Sequence, residues 1–179
     1  SSQQKHDAKS FQRIARAIAS KAKLTVEFGG NRAYTDGKMI HLPAIETHED
    51  QDVILGYVCH EAGHVRSTDF SVKNEKFINI FEDHRIERFM SSQLGGAEDL
   101  LIKTWKHLYK DAKPSSDSKY SSFSAVCNYL ICKGQEITMN RQSVVHVMKD
   151  LTEAAEKSVV EHWGDITSKL DELLSRSRY

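Results

Sequence analysis

The spacing of apolar residues along the chain changes from a helical period to a strand period before residue 30. Residues 5–22 repeat apolar positions at helical spacing, which predicts an amphipathic helix. Residues 24–28 alternate apolar with polar side chains, and short strands are predicted again at 33–35 and 38–42. Asp36-Gly37, between the last two, is a strong hairpin signal. We therefore expect a small antiparallel sheet near the N-terminus.

Every segment after Pro43 has a helical pattern. Residues 50–66 carry apolar side chains on nearly every side, which is typical of a helix buried in the core. A second helix is predicted at 71–91, with Ser71 as its N-cap, and it ends before Gly95-Gly96. Further helices are predicted at 97–111, 119–132, 140–157 and 159–175, with breaks at 113–116, at Lys133-Gly134 and near Ser158. Strands followed by helices alone indicate an α+β protein.

The length of 179 residues suits one domain, or two at most, and is enough for a hydrophobic core without disulfide bonds. The glycine pair at 95–96 predicts an internal division. We expect residues 1–96 to form the core that carries the sheet and the first helices. Residues 97–179 are then a helical subdomain packed on it within one continuous domain.

The composition argues against several classes of protein. The chain has 25 Lys and Arg against 25 Asp and Glu, so nothing in its net charge indicates binding to nucleic acid. No apolar stretch approaches the ~18–20 residues of a membrane span, and the first residues lack the apolar region of a secretory signal. Three cysteines cannot all pair within one chain. We expect reduced thiols and a cytoplasmic protein.

The sequence Cys59-His60-Glu61-Ala62-Gly63-His64 carries the most specific chemical signal. On a helix, His60 and His64 are one turn apart and project from the same face, where two imidazoles can bind one metal ion. Glu61 lies on the neighbouring edge and can take a proton from an attacking water without being a ligand. This is the HExxH arrangement of zinc metallopeptidases. Because the surrounding residues are apolar, the polar groups need partners, and a metal ion supplies them.

A catalytic zinc ion needs a third protein ligand and one open position. The candidates lie in the mostly apolar segment at 79–87, where Glu82, Asp83 and His84 are consecutive. Helical periodicity does not choose among these three residues. A buried ionic network that ties helices together would also explain the cluster.

The chain resembles the gluzincin-like branch of the zincin metallopeptidases through the HExxH helix and the downstream acid. Residues 33–43 before the motif, and Asn79, Glu82, Asp83, Arg85, Ile86 and Glu87 after it, bring it closer to one group. That group is the metallopeptidase region beside von Willebrand factor A domains in cobaltochelatase-subunit-like bacterial and phage proteins. The resemblance covers about residues 24–90. It implies a zincin-like fold with a mainly helical C-terminal half, and a Zn²⁺ ion on His60, His64 and Asp83, with Glu82 as the second choice.

The resemblance also implies a zinc-dependent peptidase with Glu61 as general base and a peptide or protein as substrate. We expect the strand at 38–42 to pair with an extended substrate. His41 is a conceivable oxyanion donor, but an exposed strand residue is the simpler interpretation. Tyr34, Tyr57, Tyr109 and Tyr120 are other conceivable donors, which the sequence does not rank.

Two other functions remain open. One is a catalytically silent zinc-containing module that binds a partner, such as a von Willebrand A-type domain. The other is a phage or bacterial factor that associates with nucleic acid through Lys103, Lys106, Lys110 and Lys113, although a solvated helix face explains this stripe as well.

Overall fold

A computed structural model describes five stretches of the chain and shows an α+β protein. The described residues are 2–21, 23–44, 50–72, 75–114 and 121–176. Within them there are seven α-helices and one three-stranded sheet, so the predicted fold class is confirmed at that level. None of these helices combines the length and the apolar character that crossing a bilayer would take.

The sheet is mixed, not antiparallel as predicted. Its strands are β1 (Thr25–Phe28), β2 (Tyr34–Thr35) and β3 (Met39–Leu42), in the order β1-β3-β2. β3 lies in the centre, parallel to β1 and antiparallel to β2. The predicted hairpin between β2 and β3 is present, with Gly37 at its turn in the left-handed region at φ +85°.

The difference arises at Gly29-Gly30, which does not join β1 and β2 as neighbouring strands. The chain instead passes from β1 across to the far side of β3 before it forms β2. β3 suits the central position because Ile40 and Leu42 are completely buried on the face towards the helices. Val26 pairs with Ile40 from the parallel side, which adds β1 to the same apolar face.

Helices α1 (Ser2–Ala19) and α2 (Gln51–Ser67) pack with the sheet around the main core. The buried residues of this core are Phe11, Ala15, Ala19, Leu24, Val26, Ile40, Leu42, Val53, Ile54, Tyr57, Val58 and Ala62. Helix α2 begins after Asp50, whose carboxylate accepts a hydrogen bond from the amide of Asp52. It is buried on most of its surface, as its apolar pattern predicted.

Helices α3 (Lys76–Gln93) and α4 (Ala97–Tyr109) follow. The predicted N-cap at Ser71 is wrong, because α3 begins after Glu75. Ser71 instead donates hydrogen bonds to the carboxylate of Asp69 through its amide and its hydroxyl, which forms a local turn. Residues 73–74 of the predicted helix lie outside the described residues.

The chain divides into two compact units, residues 1–108 and 109–179. Helix α4 falls in the first unit, where Leu101 and Ala97 pack with Cys59 of α2 and Met90 of α3. The boundary at residues 96 and 97 stays a prediction.

The second unit contains helices α5 (Ser122–Ile137), α6 (Gln142–Val147) and α7 (Lys149–Arg176). The predicted break at Lys133-Gly134 is wrong, because α5 runs through a buried Gly134. The break predicted near Ser158 is also wrong: the interruption is at Met148, which is completely buried. Packing therefore decided where these helices end. Residues 115–120, which include parts of a predicted break and a predicted helix start, lie outside the described residues.

Candidate metal centre

Helix α2 directs two imidazoles at the same point. His60 and His64 are one turn apart, their Nε2 atoms are 3.2 Å from each other, and the ring planes cross at 69°. Both side chains are mostly buried, because the helix that carries them is part of the core. Two lone-pair donors that face each other at this distance favour a shared cation between them.

Asp83 of α3 completes a triangle of donor atoms. Its Oδ1 lies 3.0 Å from Nε2 of His64 and 3.6 Å from Nε2 of His60. Atoms at these separations are about 1.9 Å from the centre of their triangle, close to the ~2.0–2.2 Å bonds of a tetrahedral zinc site. The three residues could therefore hold a metal ion with one position left open.

The close approach of α3 to α2 depends on Gly63, which lies between the two histidines. A Cβ atom at this position would be 2.7 Å from Cγ of Met90 and 3.4 Å from Cδ1 of Ile86. The glycine that lowers helix propensity thus lets α3 pack closely enough for Asp83 to reach the histidines.

Each imidazole also makes a hydrogen bond through its other nitrogen. Nδ1 of His60 lies 2.9 Å from Oε1 of Glu87, a carboxylate that is 1% exposed. Nδ1 of His64 lies 2.8 Å from Oγ1 of Thr68, which donates to Oε1 of Glu82 at 2.6 Å. An acceptor at each Nδ1 keeps the proton there and leaves Nε2 free to bind a metal.

The other two ligand candidates from sequence do not join the triangle. Glu82 is occupied by Arg85, whose Nε and Nη2 donate to its two oxygens at 2.7 and 2.6 Å. This pairing holds the pKa of Glu82 below its usual range. His84 is buried away from the cluster of donor atoms. Of these three candidates, Asp83 is the one whose carboxylate lies beside both histidines.

Charges within the cluster shift its titrations in opposite directions. Burial raises the pKa of Asp83, but its hydrogen bonds with His60 and His64 outweigh this and lower it to about 2. Burial disfavours the charged form of His60, yet the hydrogen bonds with Asp83 and Glu87 raise its pKa well above the usual value. The cluster therefore carries fixed negative charge facing the imidazoles, which favours a cation.

Glu61 lies beside the triangle and contributes no atom to it. It is 6% exposed, and burial raises its pKa, partly offset by the two neighbouring histidines. Cys59 is 1% exposed in the core, and burial raises the pKa of its thiol to about 11, so it is packed and protonated at neutral pH.

The donor atoms and Glu61 line a cleft of about 560 Å³ in the first unit. One wall is the edge strand β2, with Tyr34 and Thr35. The lining also includes three apolar side chains, Phe70, Val72 and Ile78, which are 43%, 52% and 46% exposed. Exposed large apolar side chains that share a cleft with a few polar groups are typical of a binding site.

The strand that was expected to bind substrate is in the wrong place for it. β3 already pairs on both sides, so it has no free edge, whereas β2 pairs on one side only and lines the cleft. Of the oxyanion candidates, Tyr34 lines the cleft and stacks on His41 at 4.3 Å. Tyr57 is in the core, Tyr109 is not among the lining residues, and Tyr120 lies outside the described residues.

Two residues of the site were not predicted from the sequence. One is Thr68, which contacts His64, and the other is Trp105 of α4, which donates to Glu87. Thr68 had a signal, because it lies one helical turn after His64 on the same face. Trp105 had none, since only tertiary packing brings α4 to this site. Comparisons of the chain with protein-family models, with curated proteins and with solved structures found no match.

Proposed function

We propose that the chain is a zinc-dependent metallopeptidase with a zincin-like fold. The observation that carries the proposal is the triangle formed by His60, His64 and Asp83, at separations that suit a tetrahedral ion. Two imidazoles and one carboxylate are a donor set that zinc accepts, and three protein ligands leave a position for water or substrate. When bound, zinc supplies Lewis acidity and lowers the pKa of water towards ~7.

In this proposal Glu61 is the general base. It faces the cleft next to two ligands but is not one itself, so its carboxylate remains available to accept the proton of the attacking water. Burial, which raises its pKa, makes it a stronger base than an exposed glutamate. The same group then returns the proton to the leaving amine. A silent structural site has no use for such a carboxylate, which favours the peptidase over the binding module.

The cleft suits an extended peptide with a bulky apolar side chain. Main-chain groups of the substrate pair with the edge strand β2, as in other cases of strand addition. An apolar side chain of the substrate, beside the scissile bond, lies against Phe70, Val72 and Ile78, which line the same cleft as the donor residues.

The test uses the full chain and a mixed peptide library. We expect about one zinc per chain by elemental analysis, loss of that zinc in His64→Ala, and metal-dependent hydrolysis by the wild type. Glu61→Gln keeps zinc and slows hydrolysis by roughly 10²–10⁴-fold, the range for loss of a general base. Glu153→Gln, an exposed position on α7, is the matched control and keeps full activity.

Two results would contradict the proposal separately. A zinc-loaded wild type that cleaves no peptide of the library rules out the peptidase. Hydrolysis by zinc-loaded Glu61→Gln at the wild-type rate shows that another group is the base.

A further inference from the structure

The indole of Trp105 contacts the metal centre from outside the cleft. Its Nε1 donates to both oxygens of Glu87, at 3.0 Å to Oε1 and 3.2 Å to Oε2. The same Oε1 lies 2.9 Å from Nδ1 of His60. Trp105 is neither among the residues that line the cleft nor among the three donor residues.

The packing of α4 on α2 determines the position of this indole. Gly56 of α2 leaves room for Thr104, since a Cβ atom there would be 1.8 Å from Oγ1 of Thr104. The same hydroxyl contacts two backbone carbonyls, Val53 of α2 at 3.2 Å and Leu100 of α4 at 2.9 Å. Thr104 is 5% exposed, so this contact is buried, and it fixes the position of α4 along α2.

The chemistry of Trp105, Glu87 and His60 determines which group donates and which accepts in each of their hydrogen bonds. An indole N–H can only donate, so the oxygens of the buried Glu87 are the acceptors in this contact. A carboxylate held in this orientation accepts from Nδ1 of His60, and in the neutral imidazole that a metal ion binds, the lone pair is then on Nε2, on the side of Asp83 and His64. Without the indole, Glu87 loses the donor that fixes its rotation.

We propose that Trp105 is a positioning residue of the metal centre, which acts through Glu87 to present Nε2 of His60. This inference rests on the proposed metal site but not on the peptidase reaction. When a metal ion binds Nε2, the imidazole becomes a stronger donor to Glu87, and the electron density at the indole contact changes. Trp105 therefore reports metal binding in its fluorescence.

The chain offers a matched control because it has two tryptophans. Trp163 is 59% exposed on α7, in the other unit, and is not one of the residues that form the metal centre. Trp163→Phe leaves Trp105 as the single indole, and Trp105→Phe keeps an aromatic ring of similar shape while it removes the N–H donor.

The experiment titrates zinc into each full-length variant, with a chromophoric chelator as competitor and indole emission recorded in parallel. We expect Trp163→Phe to bind zinc with wild-type affinity and to change its emission until one equivalent is bound. Trp105→Phe binds zinc about 10–100-fold more weakly, the range for loss of a hydrogen-bonding partner outside the ligands. The emission of its remaining Trp163 does not change.

A double variant separates positioning from general destabilisation. Because Trp105 acts through Glu87, the losses of zinc affinity from Trp105→Phe and Glu87→Gln are less than additive when combined. Additive losses, equal affinity of Trp105→Phe and wild type, or constant emission in Trp163→Phe would each overturn the inference. If Trp105→Phe does not fold, the emission of Trp163→Phe decides.

The outcome also separates this inference from the proposed function. A wild type without zinc affinity overturns both. Zinc binding without peptide hydrolysis refutes only the peptidase, and zinc binding that is independent of Trp105 refutes only the positioning role.

Discussion

The hydroxyl of Thr68 has one proton and lies between two groups that compete for it. Glu82 accepts that proton at 2.6 Å, because Arg85 keeps it ionised and a carboxylate cannot donate. The hydroxyl must therefore accept from Nδ1–H of His64 at 2.8 Å. This order of donors selects the tautomer of His64 in which Nε2 is free for a metal ion.

Thr68→Val removes the hydroxyl and keeps the shape of the side chain. Glu82 keeps its two hydrogen bonds from Arg85, so the lost contact falls on His64, which is 7% exposed. Metal binding at Nε2 then leaves a buried N–H against a methyl group, at a cost of about 1–3 kcal/mol. We therefore expect zinc affinity to fall by about 5- to 150-fold.

The assay is competition for zinc with a chelator of known affinity, on the full chain at neutral pH. Thr68→Ser restores the hydroxyl and should return most of the affinity. Thr152→Val is the matched control, since that threonine donates to the carbonyl of Met148 in the other unit and should leave zinc binding unchanged. Wild-type zinc affinity in Thr68→Val would refute the tautomer argument.

Two further predictions concern packing and the cleft. Gly56→Ala places a methyl group 1.8 Å from Oγ1 of Thr104, so we expect it to lower the free energy of unfolding by at least about 1–3 kcal/mol in thermal or denaturant unfolding. Gly164→Ala is the control: it lies in a helix with no atom within 4 Å of the new Cβ and should raise the free energy of unfolding by up to ~1 kcal/mol. An unchanged free energy of unfolding in Gly56→Ala would contradict the close packing of α4 on α2. Ile78→Ser should lower cleavage of peptides with bulky apolar side chains by roughly tenfold while zinc affinity stays the same. The exposed control Ile137→Ser should change neither the cleavage nor the zinc affinity. An unchanged cleavage profile in Ile78→Ser would show that this side chain does not contribute to specificity.

Local patterns predicted the centre of the site well. The spacing of His60 and His64 and the apolar residues around them were enough to predict a buried helix with two converging imidazoles, since helical geometry sets both. The same patterns could not choose between Glu82 and Asp83. Neighbouring residues on a helix point ~100° apart, and the sequence does not show which of the two directions faces the histidines. Contacts with Arg85 and Thr68 occupy Glu82 and leave Asp83 for the triangle.

Strand order was outside the reach of local patterns. The turn at Gly29-Gly30 is compatible with a hairpin and with a crossover, and the choice depends on which strand buries most apolar surface against the helices. Ile40 and Leu42 give β3 the central place, which leaves β2 as the edge beside the cleft. The predicted helix break at Lys133-Gly134 failed for a similar reason, because burial of Gly134 within α5 outweighed a weak local signal.

By itself, the amino-acid sequence determined the helices, the hairpin and a pair of histidines with a glutamate between them, because hydrogen bonds and side-chain directions over one or two turns depend on nearby residues. Only the tertiary structure decided which carboxylate joins the histidines, which strand borders the cleft, and that an indole 18 residues further along the chain holds Glu87. Those contacts arise where α2, α3 and α4 pack against one another. Their geometry depends on small residues such as Gly56 and Gly63, whose effect appears only when the neighbouring helix is in place.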